Sequence, residues 1–119
     1  MTMTQAQMFE SLAILTQAEE TGVLGFAIAQ NRRKLAEEVK EFVAKRDELM
    51  QTYGTDKGDG KFDFSHEAFQ AFSAALRPYA EMTSDVSIRQ VSEEVFCSGS
   101  LTSSQMLALD WMVREEGQA

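Results

Sequence analysis

The sequence predicts a mainly all-α fold, a compact bundle of about five helices in which one helix is long. Apolar residues recur at helical spacing through most of the chain. A single proline and seven glycines leave long segments of the 119 residues uninterrupted. A chain of this length forms one domain, here residues 1–119, and can bury a core without disulfides or metal. A very short strand pair near residues 61–64 and 79–83 is the β structure that the pattern allows.

The first helix has a clear start signal. Thr4 can cap it, and Gln7 stands three residues later, at the spacing of a capping box. Its apolar stripe, at i, i+4 and i+7, consists of Met8, Leu12 and Leu15. Thr21 and Gly22 break the pattern, so the helix is expected to end before them.

The long helix is predicted from Val23 to Tyr53, and Gly54 stands where a left-handed cap would end it. Its apolar stripe consists of Leu24, Ile28, Leu35, Val39, Phe42, Leu49 and Tyr53. About thirty residues at ~1.5 Å each span ~45 Å, more than a domain of this size covers. Part of the helix is therefore expected to project, to bend or to pair with another copy.

A free-standing coiled coil is disfavoured for this helix. Apolar residues spaced by seven occupy one heptad position, but the matching second position is polar throughout. Those polar residues are Asn31, Glu38, Lys45 and Thr52. The stripe is therefore predicted to pack against other helices of the same domain.

Three shorter helices are predicted in the second half. Ser65 can cap the first of these, and Pro78 is expected to end or kink it. Ser84 or Asp85 can cap the next, whose apolar stripe would be Ile88, Val91 and Val95. Thr102 and Gln105 have capping-box spacing at the start of the last, which would bury Met106, Leu109 and Val113 with Trp111 at its edge.

An Asp- and Gly-rich loop after the long helix is close to a calcium-binding pattern. With Asp56 at position 1 of an EF-hand loop, Glu67 falls at position 12, but glycines occupy positions 3 and 5. With Gly60 at position 6, Asp59 and Asp63 fall at positions 5 and 9, but positions 1, 3 and 12 become Thr, Lys and His. Asp56, Asp59 and Asp63 are therefore weak metal candidates only, and a structural turn is the favoured interpretation. No cofactor is predicted.

The formal charge of −8 disfavours direct binding to nucleic-acid phosphate. The chain has one cysteine and one histidine. Cys97 is predicted to be a buried, inert thiol, and His66 an exposed residue at a helix N-terminus. No catalytic motif appears, so the protein is predicted not to be an enzyme. No apolar run approaches 18 residues and no leader pattern is present, which predicts no membrane association and a cytoplasmic location in a host cell.

Carboxylates along the long helix are the candidate partner-binding residues. They are Glu37, Glu38, Glu41, Asp47 and Glu48. A basic triplet precedes them, and the spacing predicts that Arg33 pairs with Glu37 and Lys34 with Glu38, as i, i+4 neighbours on a solvated face.

The order of these features resembles a family of small tailed-phage proteins known only as domain of unknown function 1617. The residues that carry the resemblance are Tyr53-Gly54, Gly60, Phe62-Asp63-Phe64, Glu67-Ala68-Phe69, Cys97-Ser98-Gly99 and Asp110-Trp111. The similarity covers roughly residues 24–115 and leaves residues 1–22 unmatched. It implies a phage or prophage origin, and it implies no activity and no catalytic residues.

The leading functional hypothesis is a non-enzymatic phage or prophage accessory protein that binds a host or phage protein. Its most concrete form is an acidic inhibitor that occupies the basic nucleic-acid-binding surface of a host protein, as anti-CRISPR proteins do. The alternative is a virion or tail-assembly component that self-associates through the long helix. A calcium-responsive helix-loop-helix module is the third hypothesis.

Overall fold

The computed structural model describes residues 1–114. Glu115, the last residue of the stretch that carries the family resemblance, lies outside them. The described chain is mainly α, as predicted, with five α-helices and two small antiparallel strand pairs. In chain order the elements are β1 (Thr2–Thr4), α1 (Gln5–Gln17), α2 (Gly22–Tyr53), β2 (Thr55–Gly58), β3 (Lys61–Asp63), α3 (His66–Ala80), β4 (Thr83–Asp85), α4 (Glu93–Cys97), α5 (Ser103–Ala108) and a 3-10 helix (Asp110–Met112).

The first helix begins with the capping box that the sequence predicts. The Gln7 backbone N–H donates to Thr4 Oγ1 at 3.0 Å, and the Thr4 N–H donates to Gln7 Oε1 at 2.8 Å. Two free N–H groups at the helix start are thereby satisfied. Met8 and Leu15 are fully buried against α2, which fixes α1 along the long helix.

The long helix α2 is the axis of the molecule. Its predicted stripe packs within the chain from Leu24 to Phe42, where the last buried side chain of the helix lies. The eleven residues after Phe42 carry no buried side chain, so this end extends from the core towards the β2–β3 hairpin. The molecule measures 48 × 27 × 22 Å, and a 32-residue helix at ~1.5 Å per residue accounts for the long axis.

The C-terminal cap of α2 differs from the prediction. Gly54 has φ −94° and ψ 167°, an extended conformation open to any residue, so the predicted left-handed cap is wrong. The glycine is needed for space instead. A Cβ there would lie 2.8 Å from Met50 O and 3.1 Å from the Phe64 ring, which closes over the helix end.

The two segments expected to form a strand pair do not pair with each other. Residues 61–63 form a hairpin with residues 55–58, whose turn places Gly58, Asp59 and Gly60 at positive φ. Residues 83–85 pair with residues 2–4, which ties the N-terminus to the middle of the chain. The prediction placed both short strands correctly to within a few residues but gave them the wrong partners.

Ser65 caps α3 as predicted, accepting from the Ala68 N–H at 3.1 Å. Pro78 neither ends nor visibly breaks this helix, which continues to Ala80. A proline keeps a helical φ, and in the last turn its missing N–H removes a single backbone bond. Of the two predicted outcomes, the one in which Pro78 ends α3 is therefore wrong.

The predicted fourth helix exists, but it starts later than expected, and of Ile88, Val91 and Val95 only Val95 lies in it. Residues 86–92 are extended, and α4 begins only after Ser92, whose hydroxyl accepts from the Val95 N–H at 3.2 Å. Burial alternates from Val86 to Gln90, the period of a strand rather than of a helix. Backbone bonds hold both ends of the segment, from Val86 N to Met1 O at 2.8 Å and from Val91 N to Met112 O at 2.8 Å.

The last helix is shorter than predicted. Its capping box, Thr102 with Gln105, is confirmed, but α5 ends at Ala108 and a 3-10 turn follows. The change of direction puts Leu109 and Met112 fully into the core and brings residue 113 beside Val91. Cys97 is exposed and not buried as predicted, because its neighbour Phe96 takes the inward position on α4.

Candidate functional site

Two of the three carboxylates in the Asp- and Gly-rich loop bond to other residues of the same loop. Asp56 Oδ1 accepts from the Gly58 N–H at 2.8 Å, and Asp63 Oδ2 lies 3.1 Å from Lys57 Nζ. Asp59 occupies the tip of the turn at φ 54°. Among residues 1–114 no group of three or more His, Cys, Asp or Glu side chains could hold a metal ion. His66, exposed as predicted, lies within hydrogen-bonding distance of the Gln70 side chain, with Nε2 of each residue 3.2 Å apart.

The five predicted partner-binding carboxylates on α2 are all exposed, but they divide into two groups. Asp47 lies 3.6 Å from Arg46, and Glu48 lies 3.2 Å from Lys45. Within residues 1–114 no cationic nitrogen approaches within 4 Å of Glu37, Glu38 or Glu41. These three residues, which we call the acidic triad, therefore present free negative charge.

The basic residues before the acidic triad do not pair with it. Lys34 Nζ donates to the Ser87 carbonyl at 2.7 Å and so holds the extended segment against α2 instead of pairing with Glu38. Arg33 makes no ion pair within the described part of the chain. The predicted i, i+4 pairs are absent there, and the carboxylates remain available.

A cleft of about 410 Å³ opens beside two of these carboxylates, where α2, α3 and the start of α1 meet. We call it the α2–α3 cleft. Its lining residues are Gln5, Glu38, Glu41, Phe42, Lys45, Tyr79 and Met82. Glu38 and Glu41 also line a second open recess of about 520 Å³, together with Glu37, Lys40 and Ala44.

The inner wall of the cleft is apolar and anchored in the core. Phe42 is buried, and the Phe9 ring packs edge-on against it with the centroids 5.9 Å apart. Tyr79 and Met82, at and after the end of α3, are 38% and 60% exposed. Phe42 is buried whereas Tyr79 and Met82 are exposed, so the cleft has a buried aromatic floor and an accessible outer wall.

Lys45 lines the cleft, and its ammonium group lies over the Tyr79 ring. Its Nζ lies 5.2 Å from the centroid of the Tyr79 ring and donates to Glu48 Oε2 at 3.2 Å. The hydrogen bond and charge of Glu48, and then the charge of Tyr79, raise the pKa of Lys45 above its ordinary value. The side chain therefore remains a cation and lies over an aromatic face, a favourable cation–π arrangement.

Gln5 contributes an unsatisfied polar atom to the same wall. Its Nε2 lies 3.4 Å from Ser84 Oγ, a long contact, while its buried Oε1 accepts no hydrogen bond within residues 1–114. A buried acceptor without a partner is unfavourable by about 1–3 kcal/mol. The α2–α3 cleft thus combines two free carboxylates and an aromatic face, and the unsatisfied Gln5 oxygen is buried beside it.

This arrangement suits the binding of a cation that has an apolar stem. Sequence reasoning found Glu38 and Glu41 but missed Gln5, Lys45, Tyr79 and Met82. The helical spacing of Lys45 from Glu41 and Glu38 could have placed it on their face, whereas nothing local places Tyr79 there.

The fold and the site define a small, acidic, mainly helical protein with a charged cleft. None of the helices within residues 1–114 is both long and apolar enough to cross a membrane. No family model matches the chain, and neither a curated protein nor a solved structure matches it.

Proposed function

We propose that this chain is a non-enzymatic phage or prophage accessory protein that binds the basic nucleic-acid-binding surface of a host protein and blocks it. The phage origin follows from the resemblance to domain of unknown function 1617. The observation that carries the binding role is the acidic triad, three exposed carboxylates without a cationic partner in the described chain.

The geometry of the acidic triad supports this role. Glu37 and Glu41 are one helical turn apart and Glu38 lies beside them, so their charges project from a single stretch of α2. Packing of α1 and α3 against α2 holds the backbone of α2 in place, so the partner does not have to order the helix when it binds. A net charge of −8 adds long-range attraction for a basic surface and repulsion for nucleic acid.

A competition experiment tests this function. The protein is immobilised and incubated with lysate of the candidate host, and each captured protein is assayed for DNA or RNA binding with and without the chain. We expect a nucleic-acid-binding protein that elutes as salt is raised and whose nucleic-acid binding the chain inhibits. Capture of no such protein, or capture that is insensitive to salt, contradicts the proposal.

Matched charge variants localise the effect. Glu37→Gln, Glu38→Gln and Glu41→Gln are combined in one variant, and the exposed residues Glu19, Glu93 and Glu94 are changed to Gln in the control. Both variants lose three negative charges, so any nonspecific charge effect is equal. Inhibition that falls only in the first variant assigns binding to the acidic triad, and an equal loss in both refutes that assignment.

Self-association of α2 in an assembly component is the second candidate. The part of α2 after Phe42 buries no side chain, which favours this candidate. Two aromatic side chains, Tyr53 at the end of α2 and Phe69 on α3, are also 37% and 54% exposed. Light scattering at increasing protein concentration tests it. A growing mass that the double variant Tyr53→Ser/Phe69→Ser abolishes supports it, and a constant monomer mass at high concentration removes it.

A further inference from the structure

We propose that the α2–α3 cleft binds one arginine side chain of the protein partner, and that Lys45 occupies this site in the free protein until the arginine displaces it. This inference rests on the proposed function and specifies its contact chemistry. It commits to arginine on a protein, because the free carboxylates at the cleft repel phosphate and other anions.

The carboxylates are placed for a guanidinium group. Glu38 and Glu41 are three residues apart on α2, which puts their Cβ atoms about 5–6 Å apart on one face. Arginine has five N–H donors in a planar fork and can serve both carboxylates at once, whereas the lysine ammonium acts as a compact point charge. Within residues 1–114 neither carboxylate has a cation partner that the arginine would have to displace.

The apolar side of the cleft fits the rest of the arginine side chain. Phe42 and Met82 can cover the three methylene groups, while the face of Tyr79 is available for stacking with the guanidinium plane. Each part of an arginine thus has a counterpart among residues that the fold already holds together.

Lys45 shows that the aromatic face of this site accepts a cation. Its Nζ lies 5.2 Å from the Tyr79 centroid, on the same ring that the arginine would use. Although Glu41 is four residues before it, Lys45 bonds Glu48, at 3.2 Å on the side away from the acidic triad. Lys45 can therefore leave the ring and keep its ion pair with Glu48, and its presence lowers the affinity for an arginine.

The key experiment compares two lysines of the same helix. Binding of fluorescently labelled nona-arginine peptide is measured by anisotropy at low salt for the full chain, for Lys45→Gln and for Lys40→Gln. Both variants lose one positive charge, but Lys40 lies outside the cleft. We expect Lys45→Gln to bind roughly 3-fold tighter than Lys40→Gln, the scale of one exposed cation–π contact. Equal affinities of the two variants overturn the proposed competition by Lys45.

A second pair of variants tests the aromatic wall. Tyr79→Leu is expected to bind the peptide roughly 3-fold more weakly, whereas Tyr53→Leu, on a tyrosine of nearly equal exposure, is expected to leave affinity unchanged. Nona-lysine is expected to bind the unaltered chain more weakly than nona-arginine. Equal effects of the two tyrosine variants, or tighter binding of nona-lysine, overturn the arginine site.

A measurement on the unaltered chain keeps the inference testable if Tyr79→Leu fails to fold. N-acetyl-arginine methylamide is titrated while the NMR signals of the Tyr79 ring and the Lys45 side chain are followed. Saturable shifts at both residues, absent with N-acetyl-norleucine methylamide, support the site, and shifts at neither overturn it.

The outcomes separate this inference from the proposed function. If the acidic triad variant loses a nucleic-acid-binding partner while the Lys45 and Tyr79 variants behave like their controls, the function stands and the arginine site fails. If the peptide follows the cleft variants but no nucleic-acid-binding protein is captured, the site stands and the proposed function fails.

Discussion

Asn31, fully buried on α2, forms two hydrogen bonds to the main chain of Arg89. Its Oδ1 accepts from the Arg89 N–H at 2.7 Å, and its Nδ2 donates to the Arg89 carbonyl at 2.9 Å. These bonds satisfy the backbone of an extended residue that has no neighbouring strand at that point. The polar residue that interrupts the heptad pattern of α2 therefore holds residues 86–91 against the helix.

Replacing Asn31 is expected to lower the free energy of unfolding. Asn31→Ala leaves the Arg89 N–H and carbonyl without partners in a part-buried place, and we expect a loss of about 1–3 kcal/mol in the free energy of unfolding. Gln30→Ala is the control, since Gln30 bonds only the exposed Arg89 side chain, and should cost less than about 0.5 kcal/mol. Urea denaturation measures both, and equal losses would contradict the role assigned to Asn31.

Two substitutions at Gly54 show whether the glycine is required because a side chain would not fit or because the residue needs a positive φ. If the residue were a left-handed cap, Asn would be tolerated better than Ala. Because a Cβ would press on Met50 O and the Phe64 ring, we expect Gly54→Ala to destabilise by about 1–3 kcal/mol and Gly54→Asn to destabilise more. Thermal unfolding of the two variants gives the order, and the reverse order would refute the steric explanation.

The pKa of Lys45 should respond to Glu48. Glu48, first through its hydrogen bond, raises the pKa of Lys45 above the ordinary 10.5, so Glu48→Gln is expected to bring it back towards that value. A raised folded-state pKa means that the stabilisation is fully present below pH 10.5 and is lost as pH rises through the folded value. NMR titration of the Lys45 side chain in the unaltered chain and in Glu48→Gln reports the shift. An unchanged Lys45 titration in Glu48→Gln would remove Glu48 as the cause.

The loop at residues 55–63 is expected not to bind calcium. Asp56 and Asp63 already bond within the hairpin, and Lys57 and Lys61 bring two positive charges close to three carboxylates. Adding Ca²⁺ to about 1 mM, where weak calcium modules respond, should leave the amide signals of this loop unchanged. Saturable shifts centred on Asp56, Asp59 and Asp63 would show that the turn rearranges into a cation site.

Local signals in the sequence predicted the fold well where the interactions are local. The capping boxes at Thr4 and Thr102 and the cap at Ser65 each join residues three apart, so the pattern contains both partners. The same reasoning failed at Val91, because the short apolar pattern of Ile88, Val91 and Val95 is compatible with a helix or with an extended chain. It failed at Cys97 because adjacent residues on a helix face different sides, and spacing did not say which one faces the core.

For the candidate site, the sequence alone determined the acidity of the chain, the long helix and the exposed carboxylates on it, because composition and helical periodicity are properties of neighbouring residues. Only the tertiary structure decided that Lys34 and Lys45 leave Glu37, Glu38 and Glu41 unpaired, and that Tyr79 faces Lys45 across the cleft. Those relationships join residues from separate elements, such as Lys34 with Ser87, 53 positions apart. Packing of α3 and the extended segment against α2 creates them, and no local pattern encodes that packing.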